Sequence, residues 1–107
     1  MTVQTTMALT VSEDDLKAAI LDLAHLYRWR IVHIRPAKTV HGWRTAYEGD
    51  SGLPDLIMAR NGVVLLCELK SEKGKATPEQ LAWLAAAGPN GHLWRPSSWD
   101  KIVSVLR

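Results

Sequence analysis

A single cysteine, Cys67, is all the chain contains, so it can build neither a disulfide framework nor a cysteine zinc cluster. Set among aliphatic residues, Cys67 reads as a buried core thiol. No apolar run approaches the roughly 18 residues of a membrane helix, and the N-terminus lacks a basic segment followed by an apolar core. Secretion and membrane insertion are therefore not expected, and a cytoplasmic location is. No internal repeat or low-complexity segment interrupts the chain. Acidic residues are missing between Leu23 and Tyr47, a stretch that carries Arg28, Arg30, Arg35, Lys38 and Arg44 with His25, His33 and His41. A net charge of +2 is too small to argue for nucleic acid by itself. The distribution says more, because Lys70, Lys73 and Lys75 make a second basic cluster. Such patches grip phosphates, although one patch alone is more often a solvated face. The lone histidines lack the partner spacing of metal ligands.

What is present is enough for one domain. The 107 residues are 47% hydrophobic and 22% charged, ordinary for a globular protein, and support a single, marginal core. The chain is organised around residues 52–70. Two apolar runs flank Asn61-Gly62, the pair preferred in two-residue type I′ turns, which predicts a β-hairpin. The register follows by counting outward: Arg60 pairs with Val63, Ala59 with Val64, Met58 with Leu65, Ile57 with Leu66 and Leu56 with Cys67. Asp55 then opposes Glu68, and alternation puts Lys70 on the Glu68 face. At about 5 Å and an effective dielectric of about 20, two such carboxylates repel by roughly 3 kcal/mol. A bound cation, a shared proton or Lys70 must offset this, unless the hairpin end frays into water. Both strands are apolar on both faces, which predicts a sheet covered on both sides. Two oxygens converging at a buried sheet end suit a hard divalent cation, Mg²⁺ or Mn²⁺.

In chain order, residues 1–11 read as a loose tail before a domain over 12–107. Ser12 caps a helix to about Trp29, with Asp15 three residues on and Leu16, Ala19, Ile20, Leu23, Leu26 and Tyr27 as its stripe. Glu13, Asp14 and Asp15 complement the helix dipole. Residues 30–35 alternate and end at Pro36, a first strand. Residues 37–53 show no periodicity and mix Lys38, His41, Trp43, Arg44 and Tyr47. Such a loop suits DNA backbone contact and base stacking, or is a plain connector. Gly74-Lys75 before a helix fails as a phosphate loop, because Leu69 and Ala76 stand where glycine and Ser/Thr are required. Thr77-Pro78-Glu79-Gln80 is a capping box with proline at the first helical position, and Leu81, Leu84 and Ala85 would pack inward. Residues 92–95 form a short strand, and Ser97 or Ser98 caps a last helix whose apolar face is Ile102, Val103 and Leu106. The order is αβββαβα, an α/β fold with a mixed sheet flanked by helices.

Pro54-Asp55 followed by Glu68-Leu69-Lys70 resembles the PD-(D/E)XK nuclease signature. The longer string Gly52-x-Pro54-Asp55-Leu56, Glu68-Leu69-Lys70, Gly74-Lys75, Thr77-Pro78-Glu79-Gln80 and Trp83-Leu84 resembles the VRR-NUC (virus-type replication-repair nuclease) branch, over roughly residues 12–95. The resemblance implies a restriction-endonuclease-like αβββαβ core with a C-terminal helix. It implies Mg²⁺ or Mn²⁺ on Asp55 and Glu68, with the Leu69 carbonyl and Glu13, and catalytic roles for Lys70 and Gln80. Lys70 can equally be a salt-bridge partner, and Gln80 is already explained by the capping box. Arg28 departs from the pattern, where a glycine is usual before Trp29.

The implied activity is metal-dependent hydrolysis of DNA, structure-selective in the manner of Holliday-junction resolvases. A C2 homodimer follows if the substrate is a four-way junction. Arg35, Lys38, Trp43, Arg44, Lys73 and Lys75 are the candidate DNA contacts. A non-catalytic DNA-binding module that keeps the fold is the alternative.

Overall fold

The computed structural model describes residues 8–35, 37–44 and 47–107. Helix α1 spans Glu13–Leu26 and opens with the capping box the sequence predicts: the Ser12 hydroxyl accepts the Asp15 N–H, and the Asp15 carboxylate accepts the Ser12 N–H. It stops three residues short of Trp29. The Trp29 N–H donates to the Ala24 carbonyl and the Arg28 N–H to that of His25, closing a Schellman turn. Arg28 occupies the left-handed position of that turn at φ 64°, which explains why a glycine belongs there. Leu16, Ile20 and Ala24 are buried, whereas Leu26 is 70% exposed and Ala19 faces solvent. Of the expected tail, residues 1–7 lie outside the described residues. Residues 8–10 are helical, with Ala8 buried and Val11 packed on the core, so this end is tied down rather than loose.

Strands β1 (Arg30–His33), β4 (Leu56–Arg60), β5 (Val63–Leu69) and β6 (Gly91–Trp94) form one sheet in the order β1-β4-β5-β6. β1/β4 and β4/β5 are antiparallel and β5/β6 parallel. The hairpin register is the one counted from Asn61-Gly62, from Arg60↔Val63 to Leu56↔Cys67, with both turn residues at positive φ. β1 is two residues shorter than the alternation suggests, and Pro36 lies outside the described residues. The stretch read as irregular contains a second, separate hairpin, β2 (Ala37–Thr39) and β3 (Gly42–Arg44). Its turn has no Asn-Gly pair to announce it. Instead the Thr39 hydroxyl accepts the His41 N–H and donates to the Gly42 carbonyl.

Helix α2 (Pro78–Ala87) provides the crossover between parallel β5 and β6, and α3 (Trp99–Leu106) closes the chain. α1 and α3 bury Leu16, Ile20, Ile102 and Leu106 against Leu56, Met58, Leu65 and Cys67, the first face of the sheet. The opposite face is covered by α2 only over β5 and β6. Val32 and Val64 on that face are each 50% exposed, so the sheet is not shielded on both sides as its composition suggests. Leu84 is the inward residue of α2, while Leu81 and Ala85 face solvent. Ser98 precedes α3 but does not cap it; its hydroxyl accepts the Arg95 N–H across a 3₁₀ turn.

Candidate active site

The site forms where β5 ends beneath the first turn of α2. Glu68 is 1% exposed, the one charged residue among the buried described side chains. Its Oε1 accepts a hydrogen bond from Gln80 Nε2 at 2.9 Å and lies 3.4 Å from Lys70 Nζ. Its Oε2 has no partner. A buried carboxylate oxygen without a donor is costly, so the group holds its proton more tightly. Burial first, then the negative charge of Asp55, push Glu68 up to about 7 against the pull of Lys70.

Asp55 lies one residue before β4, so the regular ladder ends at Leu56↔Cys67 and does not include the acid pair. The pair meets through side chains instead. Asp55 Oδ2 accepts the Leu69 N–H at 2.9 Å, while its main-chain carbonyl accepts the Ile34 N–H at 2.7 Å. Asp55 thereby ties β4 to β5 and to the residue that follows β1, close enough to Glu68 for its negative charge to act there. The loop before it has little freedom. A Cβ on Gly52 (φ +88) would sit 2.6 Å from the Glu79 carbonyl carbon and 2.7 Å from the Gln80 nitrogen, so only glycine lets this loop pass the start of α2. Trp83 Nε1 holds the same loop, donating to the Ser51 carbonyl at 3.0 Å.

Gln80 has two ends and uses both. Its Oε1 accepts the Thr77 N–H at 2.9 Å in the capping box, leaving the amide NH₂ to reach Glu68. Glu13 sits at the margin. Its carboxyl is raised by partial burial and by Asp55, and lowered by Lys70, which places it within electrostatic reach of both. Its neighbour Asp14 pairs instead with Lys17 at 3.6 Å. Among the described residues no group of three His, Cys, Asp or Glu side chains comes together closely enough to hold a cation alone. Asp55 and Glu68 would thus offer two ligands, not a cage. That number suits magnesium, which binds through one or two carboxylates and leaves the remaining positions to water and substrate phosphate. The orphaned Glu68 Oε2 is the oxygen such an ion would satisfy.

One solved structure, described as a VRR_NUC domain, superposes on 88% of this chain and 97% of its own length, with a TM-score of 0.55 and 21% identity. The fold is that of a VRR-NUC domain. No protein-family model matches the sequence, and no curated protein matches it either. At this identity the likeness speaks for the architecture alone. The VRR-NUC fold brings Asp55, Glu68, Lys70 and Gln80 together and sets Glu13 beside them. Arg35, Trp43, Lys73 and Lys75 are exposed, while the side chains of Lys38 and Arg44 lie outside the described part. No helix among the described residues is long and apolar enough to cross a membrane.

Two residues near the site carry no signal in the sequence. His33 lies close enough to feel Asp55, with burial and Lys17 holding it below the ordinary histidine value. Arg95 gathers the backbone that follows Lys70, donating to the carbonyls of Ser71, Glu72 and Gly74. Neither lies in a motif, and both are brought in by strand neighbours remote in sequence.

Proposed function

We propose that residues 12–107 form a metal-dependent DNA endonuclease. Asp55 and Glu68 hold one or two Mg²⁺ or Mn²⁺ ions, with the Leu69 carbonyl as a further ligand and Glu13 acting through water. When bound, the cation polarises the phosphate and makes a water acidic enough to attack near neutral pH. Glu68 arrives pre-set, because Gln80 fixes one oxygen and leaves the other for the ion. Asp55 is fixed by the Leu69 N–H it accepts. Lys70, held against Glu68 before substrate arrives, is placed to orient the attacking water or to offset charge building on the phosphorane. The observation that carries the reading is the buried, half-satisfied carboxylate of Glu68 beside Asp55, whose second oxygen is left for a cation to satisfy.

Arg35, Lys38, Trp43, Arg44, Lys73 and Lys75 supply the DNA contacts, and branched DNA is the preferred substrate, cut by a C2 homodimer. The protein acts in the cytoplasm. The test incubates purified protein with labelled linear, flapped and four-way DNA, with and without Mg²⁺ or Mn²⁺, beside Asp55→Ala. Metal-dependent cutting that Asp55→Ala abolishes while DNA binding survives is the expected result. Binding without cutting under every metal would instead describe a DNA-binding module that keeps the fold.

A further inference from the structure

The segment between Lys70 and Gln80 joins the lysine of the site to its glutamine. Its first turn is wound around one guanidinium. Arg95 Nη1 lies 2.8 Å from the Ser71 carbonyl oxygen, 3.3 Å from that of Glu72 and 2.6 Å from that of Gly74. A nitrogen with two hydrogens is thus shared among three acceptors, and the loop backbone turns its carbonyls inward onto the cation. Two further bonds fix the shape. The Gly74 N–H closes the turn onto the Ser71 carbonyl at 3.2 Å, and the Glu72 carboxylate accepts the Ser97 N–H at 3.1 Å. The base of the loop is pinned as well, by the Lys70 N–H donating to the Trp94 carbonyl at 3.0 Å.

This arrangement sorts the charges. Residues 71–75 carry one acid and two lysines. The acid is folded onto the protein body through Ser97, whereas Lys73 and Lys75 are exposed. A free loop of the same composition would let Glu72 offset its neighbours. Held as it is, it presents cationic charge on the segment that leaves the site.

We propose that Arg95 is a positioning residue: it locks the 71–75 loop in the shape that presents Lys73 and Lys75 together to nucleic-acid phosphates. The proposal rests on the DNA reading above and adds that affinity for the DNA backbone depends on a residue that does not touch it. Fluorescence anisotropy of labelled duplex DNA, without divalent metal and across a salt series, tests this. Each lysine–phosphate contact contributes about one unit to the slope of log affinity against log salt. Arg95→Gln should flatten that slope by about one to two units and weaken binding about tenfold at low salt. In a Lys73→Ala/Lys75→Ala background the same substitution should add little, because its effect runs through those lysines.

Arg95→Lys keeps the charge and most of the volume, and serves if Arg95→Gln melts below the assay temperature. The lysine ammonium has three hydrogens but ends one bond short of the Nη1 position, out of reach of the three carbonyls together, so this variant should behave like Arg95→Gln. Restored binding would mean that a cation at this position is enough without the carbonyl clamp and would overturn the proposal. Full additivity with the lysine substitutions, or an unmoved salt slope, would overturn it too. Wild-type protein that binds no DNA at low salt would defeat the nucleic-acid reading itself, a result distinct from the other two.

Discussion

The two ends of the β4–β5 hairpin both carry charge and treat it in opposite ways. At the turn end, Arg60 donates from Nη1 to the carbonyls of Tyr27 and Leu106 and from Nη2 to that of Arg107. Its guanidinium also lies 4.4 Å from the Trp29 ring centroid, and Trp29 Nε1 donates to the same Leu106 carbonyl at 2.9 Å. The cation thus rests on the C-terminal ends of α1 and α3, where helix dipoles favour it. At the other end, Glu68 is buried with one oxygen unpaired and a second acid beside it. One charge has every partner it needs and knits three elements together. The other is left short, and the proposed cation would complete it.

Substitution at the two ends should separate stability from activity. Glu68→Gln should lower metal-dependent cutting by at least about a hundredfold, yet raise stability near pH 8 by about 2–3 kcal/mol, since it removes a buried charge that Lys70 offsets only in part. Arg60→Ala should cost about 2–4 kcal/mol, because it strands several carbonyls at once. Urea midpoints at constant slope read both. Equal losses of stability in the two variants would erase the distinction.

A change of pH probes the same contrast without a large perturbation. Glu68 is raised to about 7 from an ordinary 4.5, by burial first and Asp55 second. Between those values the folded chain keeps a proton that the unfolded chain has released. The metal-free protein should therefore lose stability as pH rises through that window, by something on the order of 2–3 kcal/mol. His33 and His92, both held below the ordinary histidine value chiefly by burial, push the other way. The quantity to follow is accordingly the difference in melting temperature between wild type and Glu68→Gln, which should shrink toward acid pH. A difference that stays constant from about pH 5 to about pH 8 would show that Glu68 does not titrate there. The smallest effect belongs to the well-satisfied end. Arg28→Gly relieves a left-handed backbone and should stabilise the chain by about 0.5–1 kcal/mol with cutting unchanged.

Much of this architecture is legible in the residues, for a local reason. Asn61-Gly62 sets the whole hairpin register, and Thr77-Pro78-Glu79-Gln80 sets the start of α2, because each signal acts within a few residues of the structure it dictates. The acid pair follows from the hairpin by counting, and the structure changes only its manner of meeting, from ladder partners to side chains converging at a strand end. What escapes the sequence is tertiary. The β2–β3 hairpin turns on a threonine hydroxyl and lacks the usual dipeptide. Leu26, Leu81 and Val64 look like core residues until the coverage of each face is known. Arg95 is unremarkable in its own neighbourhood and acquires its role from a loop more than twenty residues earlier.

Gln80 spans the N-cap of a helix and the carboxylate beneath it with a single amide. Nucleation of that helix and alignment of the acid are therefore one cooperative event. A chain in which α2 has frayed by a turn also loses the amide that fixes Glu68, so the start of the helix and the orientation of the acid are lost together.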